Sequence, residues 1–161
     1  IDRSSSAELT EAINAMYQYY KNAHVGLVYL ADMAGGKSPE WSDDEAGSEL
    51  IAPSDVHFYG ADWKPLVGTH EAPSVAEALA ERTGIPQSIL TGSSAPSEWC
   101  YAARMSWAAH RTTTRIEDQA YCLLGIFDVS LPLVYGEGRR SNLRLQEGTI
   151  RRSTDQSIFA W

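Results

Sequence analysis

The stretch SSAELTEAINAMYQYYKNAHVGLVYL, residues 5–30, predicts a helix that is followed, after a short break, by a strand. Ser5 and Glu8 have the spacing of a capping box, in which a hydroxyl and a carboxylate accept backbone N–H groups at a helix start. The run from Val25 to Leu30 is continuously apolar, which favours a central strand buried on both faces of a parallel sheet. A helix of about residues 7–22 is expected because apolar side chains recur at helical spacing: Leu9, Ile13, Met16, Tyr17 and Tyr20.

The rest of the chain shows the same alternation at first and becomes helical later. Its pattern favours an α/β fold with an incomplete, mainly parallel sheet flanked by helices and with a helical C-terminal half. We expect Tyr121 and Leu124 to face the core. Helices are predicted over about Ser74–Arg82, Glu98–Ala109, Thr114–Gly125 and Arg139–Arg151, a strand over Val56–Tyr59, and an extended segment over Ser157–Trp161.

Composition and charge narrow the class of protein. Of the 161 residues, 43% are hydrophobic and 21% are charged, as in ordinary globular domains. The formal net charge of −8 argues against a nucleic-acid partner, because phosphate contacts with Lys and Arg supply most of that affinity. No apolar stretch approaches the ~18 residues of a membrane span. The two cysteines, Cys100 and Cys122, cannot form a disulfide framework, so a cytoplasmic location is expected.

The length suits one domain, and we expect residues 1–161 to form a single partial domain. The first residue is Ile1 rather than Met, which favours a piece of a longer protein. Residues 31–48 show no periodicity and contain Gly35-Gly36 and Ser38-Pro39. That segment is therefore predicted to be an irregular loop or the scar of a deletion.

The densest polar cluster lies between residues 111 and 121. Two guanidinium groups and two carboxylates within eight residues could hold an anionic ligand, and we expect Arg111 and Arg115 to contact carboxylates of the chain itself. The alternative is an ordinary helix start, in which Thr114 caps the helix and the acidic side chains complement its dipole. The candidate site residues in this cluster are Arg111, Thr114, Arg115, Glu117, Asp118 and Tyr121.

A second candidate is the turn Tyr135-Gly136-Glu137-Gly138-Arg139. Backbone N–H groups of Gly136 and Gly138, together with Arg139, could bind an anion where a helix begins. The alternative is a tight turn with no ligand. The four histidines lack metal-ligand spacing, so no metal site is predicted.

Glu49 is the third candidate, because its carboxylate stands directly before the apolar run Leu50-Ile51-Ala52. An apolar wall can raise the pKa of a carboxyl group and suit it to acid–base or cation-stabilising chemistry. An exposed glutamate at the end of a loop is the alternative. We expect the apolar residues after Glu49 to be buried beside the central strand, with the carboxylate at the mouth of a cleft near the strand ends of the sheet.

Seven ordered blocks carry a resemblance that covers almost the whole chain. The strongest contains Met105-Ser106-Trp107-Ala108 and Glu117-Asp118-x-Ala120-Tyr121-Cys122. Together the blocks resemble the fungal heterokaryon-incompatibility (HET) domain: Ser4–Tyr20, Val28–Asp32, Glu49–Ser54, Met105–Val129, Pro132–Gly138, Leu143–Glu147 and Asp155–Trp161. Members of that family usually have a further N-terminal stretch, and an aromatic and Arg-rich block before the position of Glu49. This chain has Asp44-Glu45-Ala46-Gly47-Ser48 there instead.

The resemblance implies a role in fungal nonself recognition, in which activation of the domain triggers programmed cell death. Self-association or an incompatibility partner would then be the protein contact. HET domains are also thought to be related to Toll/interleukin-1 receptor (TIR) domains, which implies a TIR-like fold. Some TIR domains hydrolyse NAD through a glutamate, and Glu49 matches that position. The alternatives are therefore an NAD-hydrolysing enzyme, with NAD as substrate and no bound cofactor, or an inactive remnant.

Overall fold

The structure, a computed structural model, describes residues 5–29, 48–68, 73–109 and 111–160. It confirms an α/β fold whose C-terminal half is helical. Two 3₁₀ helices lie at Pro96–Glu98 and Gln156–Ala160. The other elements follow in order: α1 (Ser6–Lys21), β1 (Gly26–Tyr29), α2 (Ser48–Ile51), β2 (Val56–Tyr59), β3 (Pro65–Gly68), α3 (Pro73–Thr83), α4 (Gln87–Leu90), α5 (Tyr101–Ser106), α6 (Asp118–Tyr121), α7 (Leu124–Phe127) and α8 (Arg140–Ile150).

Two predictions, the irregular segment and the absence of a membrane span, are compared here with the described residues only. The irregular segment predicted over residues 31–48 lies outside the described residues, except for Ser48 at the beginning of α2. In the described part of the chain, none of the helices has the length and apolar character that a membrane span requires.

The three strands form one sheet in the order β1-β2-β3. β1 runs parallel to β2, with Gly26 opposite Val56, and this pair has the expected orientation. β2 and β3 are antiparallel, with Tyr59 opposite Pro65. The connection between them is a short turn through Trp63, and so short a connection can only return the chain in the opposite direction.

β1 lies at the edge of the described sheet, and the prediction of a central strand buried on both faces is wrong. The exposed fraction is 62% for Leu27 and 43% for Tyr29. β2 is the central strand, and its Val56 and Phe58 are each 1% exposed. A short apolar run does not reveal how many faces of a strand are covered. Here the outer face is covered only locally, where the Tyr29 ring stacks on Trp63 with centroids 4.8 Å apart.

Both halves of the chain contribute to one apolar core. Tyr121 and Leu124 lie in it, as predicted, and so do Leu50 and Ile51 of α2. The largest fully buried members come from the sheet, from α3 and the residues that follow it, and from the helical half: Val56, Phe58, Leu79, Ile85, Leu124, Leu145 and Ile158.

The predicted helix over Thr114–Gly125 is instead two short helices, α6 and α7. Gly125 lies inside α7 and does not end it; Asp128, with φ of 54°, follows the last turn. The reason for a glycine is the close approach of α1. A Cβ atom at Gly125 would overlap the Cβ of Tyr17.

The C-terminal segment is also different from its prediction. Ser157–Trp161 was expected to be extended, but Gln156–Ala160 forms a 3₁₀ helix. Side chains of this segment cap α5: Asp155 Oδ2 accepts the N–H of Tyr101 at 2.9 Å, and Ser157 Oγ accepts that of Ala102 at 3.2 Å. The hydroxyl of Ser157 and the backbone N–H groups of Tyr101 and Ser157 lower the pKa of Asp155. A cap supplied from more than fifty residues away has no local sequence signal.

Helix α1 agrees with its prediction in position and in its cap. Ser5 Oγ accepts the N–H of Glu8 at 3.3 Å. Asn14 fixes the helix to the helical half, because its side chain donates to the carbonyl of Leu131 at 2.9 Å and accepts the Leu131 N–H at 3.0 Å. All of the residues of α1 are described and none of them is fully buried. The helix is therefore held by partly buried side chains, among them Asn14 and Tyr17.

We predict that Gly125→Ala destabilises the chain, because the new methyl group would force α1 away from α7. The expected loss is about 2 kcal/mol or more in the free energy of unfolding, as for an overpacked core site. Chemical denaturation followed by circular dichroism measures it.

Gly26→Ala is the matched control. A Cβ at Gly26 would approach Pro53 Cγ at 3.2 Å, which a small shift relieves. A loss at Gly125 no larger than that at Gly26 would show that α1 is not seated on α7 as described.

Candidate functional site

The carboxylate of Glu117 is bound inside the chain by the turn that the sequence offered as an anion site. Glu117 is 6% exposed. Its Oε1 accepts the N–H of Gly136 at 2.8 Å and that of Gly138 at 2.9 Å. Both glycines have positive φ, 98° and 61°, a conformation that L side chains rarely adopt. The two amides therefore point at one oxygen, as in the anion-binding turns known as nests.

These amide contacts keep Glu117 ionised. The backbone N–H of Gly138 is the largest cause that lowers the pKa of Glu117, followed by its own backbone, Gly136 and the charge of Arg115. The predicted anion-binding turn thus holds an anion, but the anion is a side chain of the same protein. Arg139 of the same prediction is exposed at the start of α8 and takes no part in this contact.

Tyr121 joins the same turn from α6. Its hydroxyl accepts the N–H of Val134 at 2.9 Å and donates to Glu137 Oε1 at 3.0 Å. Burial is the main cause that raises the pKa of Tyr121, so the hydroxyl keeps its proton. Glu137 is also paired with Arg144 of α8, at 2.6 Å between Nη1 and Oε1. The second guanidinium nitrogen of Arg144 donates to the carbonyl of Pro132 at 2.7 Å.

Asp118 makes the third contact between α6 and this turn. The hydroxyl of Tyr135 donates to Asp118 Oδ1 at 2.9 Å. Burial first, and then the neighbouring Asp118, raise the pKa of Tyr135 to about 12. We call Glu117, Asp118, Tyr121, Tyr135, Glu137 and Arg144 the polar network.

Arg115 has a different partner from the one expected. Its guanidinium carbon lies 4.4 Å from the centroid of the Tyr135 ring, a cation–π contact. Among the side chains that the structure describes, no carboxylate forms an ion pair with it. The prediction of a carboxylate partner is therefore wrong for Arg115. The aromatic ring lies twenty positions further along the chain, beyond the reach of a local pattern.

A cleft of about 680 Å³ lies between α1 and residues 111–122. One wall is apolar and comes from Leu9, Ile13 and Met16 of α1, which the sequence analysis had placed on one helix face. The other wall contains five of the six residues of the predicted polar cluster: Arg111, Thr114, Arg115, Asp118 and Tyr121. Glu117, the sixth, is bonded to the glycine turn instead.

Glu49 belongs to another part of the fold. It lies in α2, and the predicted burial of Leu50, Ile51 and Ala52 after it is confirmed, at 4%, 6% and 8% exposed. The side chain of Glu49 lies outside the described part of the chain. Its position at the mouth of a cleft therefore stays a prediction, and so does its catalytic role.

Arg104 of α5 is a buried cation that is not among the residues predicted from the sequence. It is 7% exposed, its Nη1 donates to the carbonyl of Ile126 at 3.0 Å, and its guanidinium lies 4.1 Å from the centroid of the Tyr101 ring. Among the described side chains, its Nε atom is buried without a hydrogen-bond partner. Arg104 thus ties α5 to α7. The available signal was a single charge in the otherwise apolar run Tyr101–Met105.

The chain is similar to a fungal incompatibility protein. It is 40% identical over 163 residues to the vegetative incompatibility protein HET-E-1 of Podospora anserina. The alignment covers 91% of this chain and 12% of that relative, so the chain spans about an eighth of the relative's length. The similarity supports a relationship to HET-related proteins, in agreement with the blocks in the sequence.

No family model matches the chain, and no solved structure matches it. The likeness to TIR domains therefore stays a prediction.

We predict that Glu117→Gln destabilises the chain in a pH-dependent way. The pKa of Glu117 is lowered from its ordinary value of 4.5, so ionised Glu117 stabilises the fold above that value. This contribution is lost as the pH falls through the lowered pKa. Wild type should therefore exceed the variant in stability near neutral pH, and the difference should shrink as the pH falls below the ordinary pKa of a glutamate. Urea unfolding at a series of pH values measures it.

Glu147→Gln is the control, since Glu147 is an exposed carboxylate on α8. It should change stability little at any pH. A stability difference for Glu117→Gln that is constant over the whole pH range would show that the charge of Glu117 does not stabilise the fold. The loss would then come from the changed shape of the side chain alone.

Proposed function

We propose that this chain is a signalling domain of fungal vegetative incompatibility, which triggers programmed cell death when incompatible hyphae fuse. The observation that carries the proposal is the 40% identity to HET-E-1 across 91% of the chain. The name of that relative assigns it to vegetative incompatibility. The family blocks quoted from the sequence favour the same role.

The domain acts by protein association, with a second copy or an incompatibility partner, in the cytoplasm. The polar network supports this mode of action over catalysis at the motif. A general acid or base must reach a proton of the substrate. Here Glu117 is bonded to two backbone amides, Asp118 accepts the Tyr135 hydroxyl and Glu137 is paired with Arg144. The motif carboxylates thus hold the fold together, and the net charge of −8 favours a protein partner over a nucleic acid.

NAD hydrolysis through Glu49 is the second candidate. The burial of Leu50 and Ile51 favours it, because a buried α2 anchors the backbone from which Glu49 projects. In that mechanism the carboxylate would stabilise positive charge on the ribose as nicotinamide leaves, with NAD as substrate. An inactive remnant is the third reading.

Expression of the chain from an inducible promoter in a fungal host distinguishes the three. We expect wild-type chain to kill the hyphae, as measured with a vital dye, and Glu49→Gln to kill equally. Nicotinamide release by the purified chain is measured in parallel and should be absent or unaffected by Glu49→Gln.

Gly125→Ala serves as the control for toxicity that does not need the fold, and should lose most of the killing. If wild-type chain releases nicotinamide, and Glu49→Gln abolishes both this release and the killing, then catalysis and not association causes the cell death. A wild-type chain that folds, accumulates and leaves hyphae viable would overturn the proposed role.

A further inference from the structure

The cleft between α1 and residues 111–122 has the size and the two-sided lining of a small-molecule site. Its volume of about 680 Å³ is within the range of ~300–1,000 Å³ that ligand sites usually have. Leu9, Ile13 and Met16 give it an apolar wall, and all three are only partly buried by the rest of the chain. A ligand that covers apolar side chains on a concave surface removes them from water, and this makes its binding more favourable.

The wall opposite α1 carries an exposed guanidinium group, that of Arg115. The formal net charge of the protein is −8. Among the described residues that line this wall are also Arg111 and the carboxylate of Asp118. That carboxylate already accepts the hydroxyl of Tyr135. An anion in the cleft therefore meets the guanidinium of Arg115, although the protein is acidic.

Arg115 is oriented so that it can bind an anion. Its guanidinium carbon lies over the Tyr135 ring, 4.4 Å from the centroid, and this cation–π contact holds the group in place. A guanidinium carries five N–H donors in a planar, forked arrangement. Among the described residues none accepts a hydrogen bond from the Arg115 side chain, and Arg115 itself is exposed, so its donors are available to a ligand. Such a fork matches the two oxygens of a carboxylate or phosphate.

We propose that this cleft binds a small molecule that carries a phosphate or carboxylate group on an apolar body. The anionic group lies at Arg115, and the apolar body lies against the α1 wall. The site does not depend on the proposed incompatibility function, since it rests on the lining alone.

Binding would also join α1 to the helical half of the chain. α1 has no fully buried residue, and a second cleft of about 650 Å³ lies along another side of it, lined in part by Thr10, Asn14 and Leu133. A ligand that contacts both walls of the first cleft adds a new attachment for α1. Amide hydrogen exchange of α1 should therefore slow when the site is filled.

The test uses 2-naphthyl phosphate and 2-naphthoate as probes, with 2-naphthol and inorganic phosphate as comparisons. Fluorescence titration of the intact chain, or calorimetry for phosphate, measures each affinity. At least one naphthyl anion should bind about tenfold more tightly than 2-naphthol, which lacks the charge-assisted contact. The same anion should also bind at least about tenfold more tightly than inorganic phosphate, which lacks the apolar body. The tighter of the two anions identifies the head group as phosphate or carboxylate.

Arg115→Gln should reduce the affinity for the anionic probe about tenfold and leave 2-naphthol unchanged. Arg139→Gln is the matched control, because Arg139 is an exposed arginine outside the cleft. If Arg115→Gln does not fold, Leu9→Ser on the opposite wall replaces it and should weaken all three naphthyl probes. Naphthyl anions that bind no better than 2-naphthol, or that bind equally well to the folded cleft variant, would overturn the proposal.

Discussion

The buried carboxylate of Glu117 fixes the beginning of α6 to the turn between α7 and α8. Removing an ionised group from water is unfavourable unless dipoles or opposite charges replace the lost hydration. For Glu117 the replacement is a pair of backbone amides, and only left-handed backbone at Gly136 and Gly138 aims both at one oxygen. The contact therefore determines how the chain must turn between α7 and α8. Side chains other than glycine at those two positions would strain the turn.

The other members of the polar network lie around that contact and depend on its geometry. With Glu117 seated in the turn, Asp118 meets the hydroxyl of Tyr135, and Tyr121 reaches Val134 and Glu137. Arg144 then binds Glu137 from α8 and fixes where that helix lies. Each added bond is of ordinary strength, but together they satisfy polar groups that would otherwise be buried without partners. Many charged residues in one motif can thus serve to hold the fold together.

The sequence predicted the elements whose causes are local. Helix α1 follows from apolar spacing and a cap at Ser5, and strand β2 follows from the alternation of Val56–Tyr59. The predictions that are wrong concern contacts between residues that are far apart in the sequence. The exposed face of β1 depends on what packs against the sheet, and the role of Gly125 depends on Tyr17, on a helix that begins the described chain. Asn14 and Leu131, which fix the same helix, are 117 residues apart.

The candidate site shows the same division. Five of the six predicted polar residues line one cleft, so residues that are close in the sequence also lie together in space. Both halves of the Glu117 contact were also identified, one as a helix start and the other as an anion-binding turn. What a single sequence lacks is the pairing: nothing local says that a carboxylate nineteen positions away fills the turn. A turn with two glycines and a carboxylate with no local partner were the complementary signals.

The attachment of α1 connects this architecture to the proposed signalling role. The polar network fixes α6, α8 and the turn between α7 and α8, but it does not include any residue of α1. That helix is held by the hydrogen bonds between Asn14 and Leu131 and by the close packing of Tyr17 on Gly125. Hydrogen bonds of this kind contribute only about 1 kcal/mol each, so α1 should open locally at a lower free energy than the body to which it is attached. Opening would uncover Gly125 and the polar wall of the cleft together. A signal that changes the contacts of α1 therefore has a physical route to the surface that carries the motif.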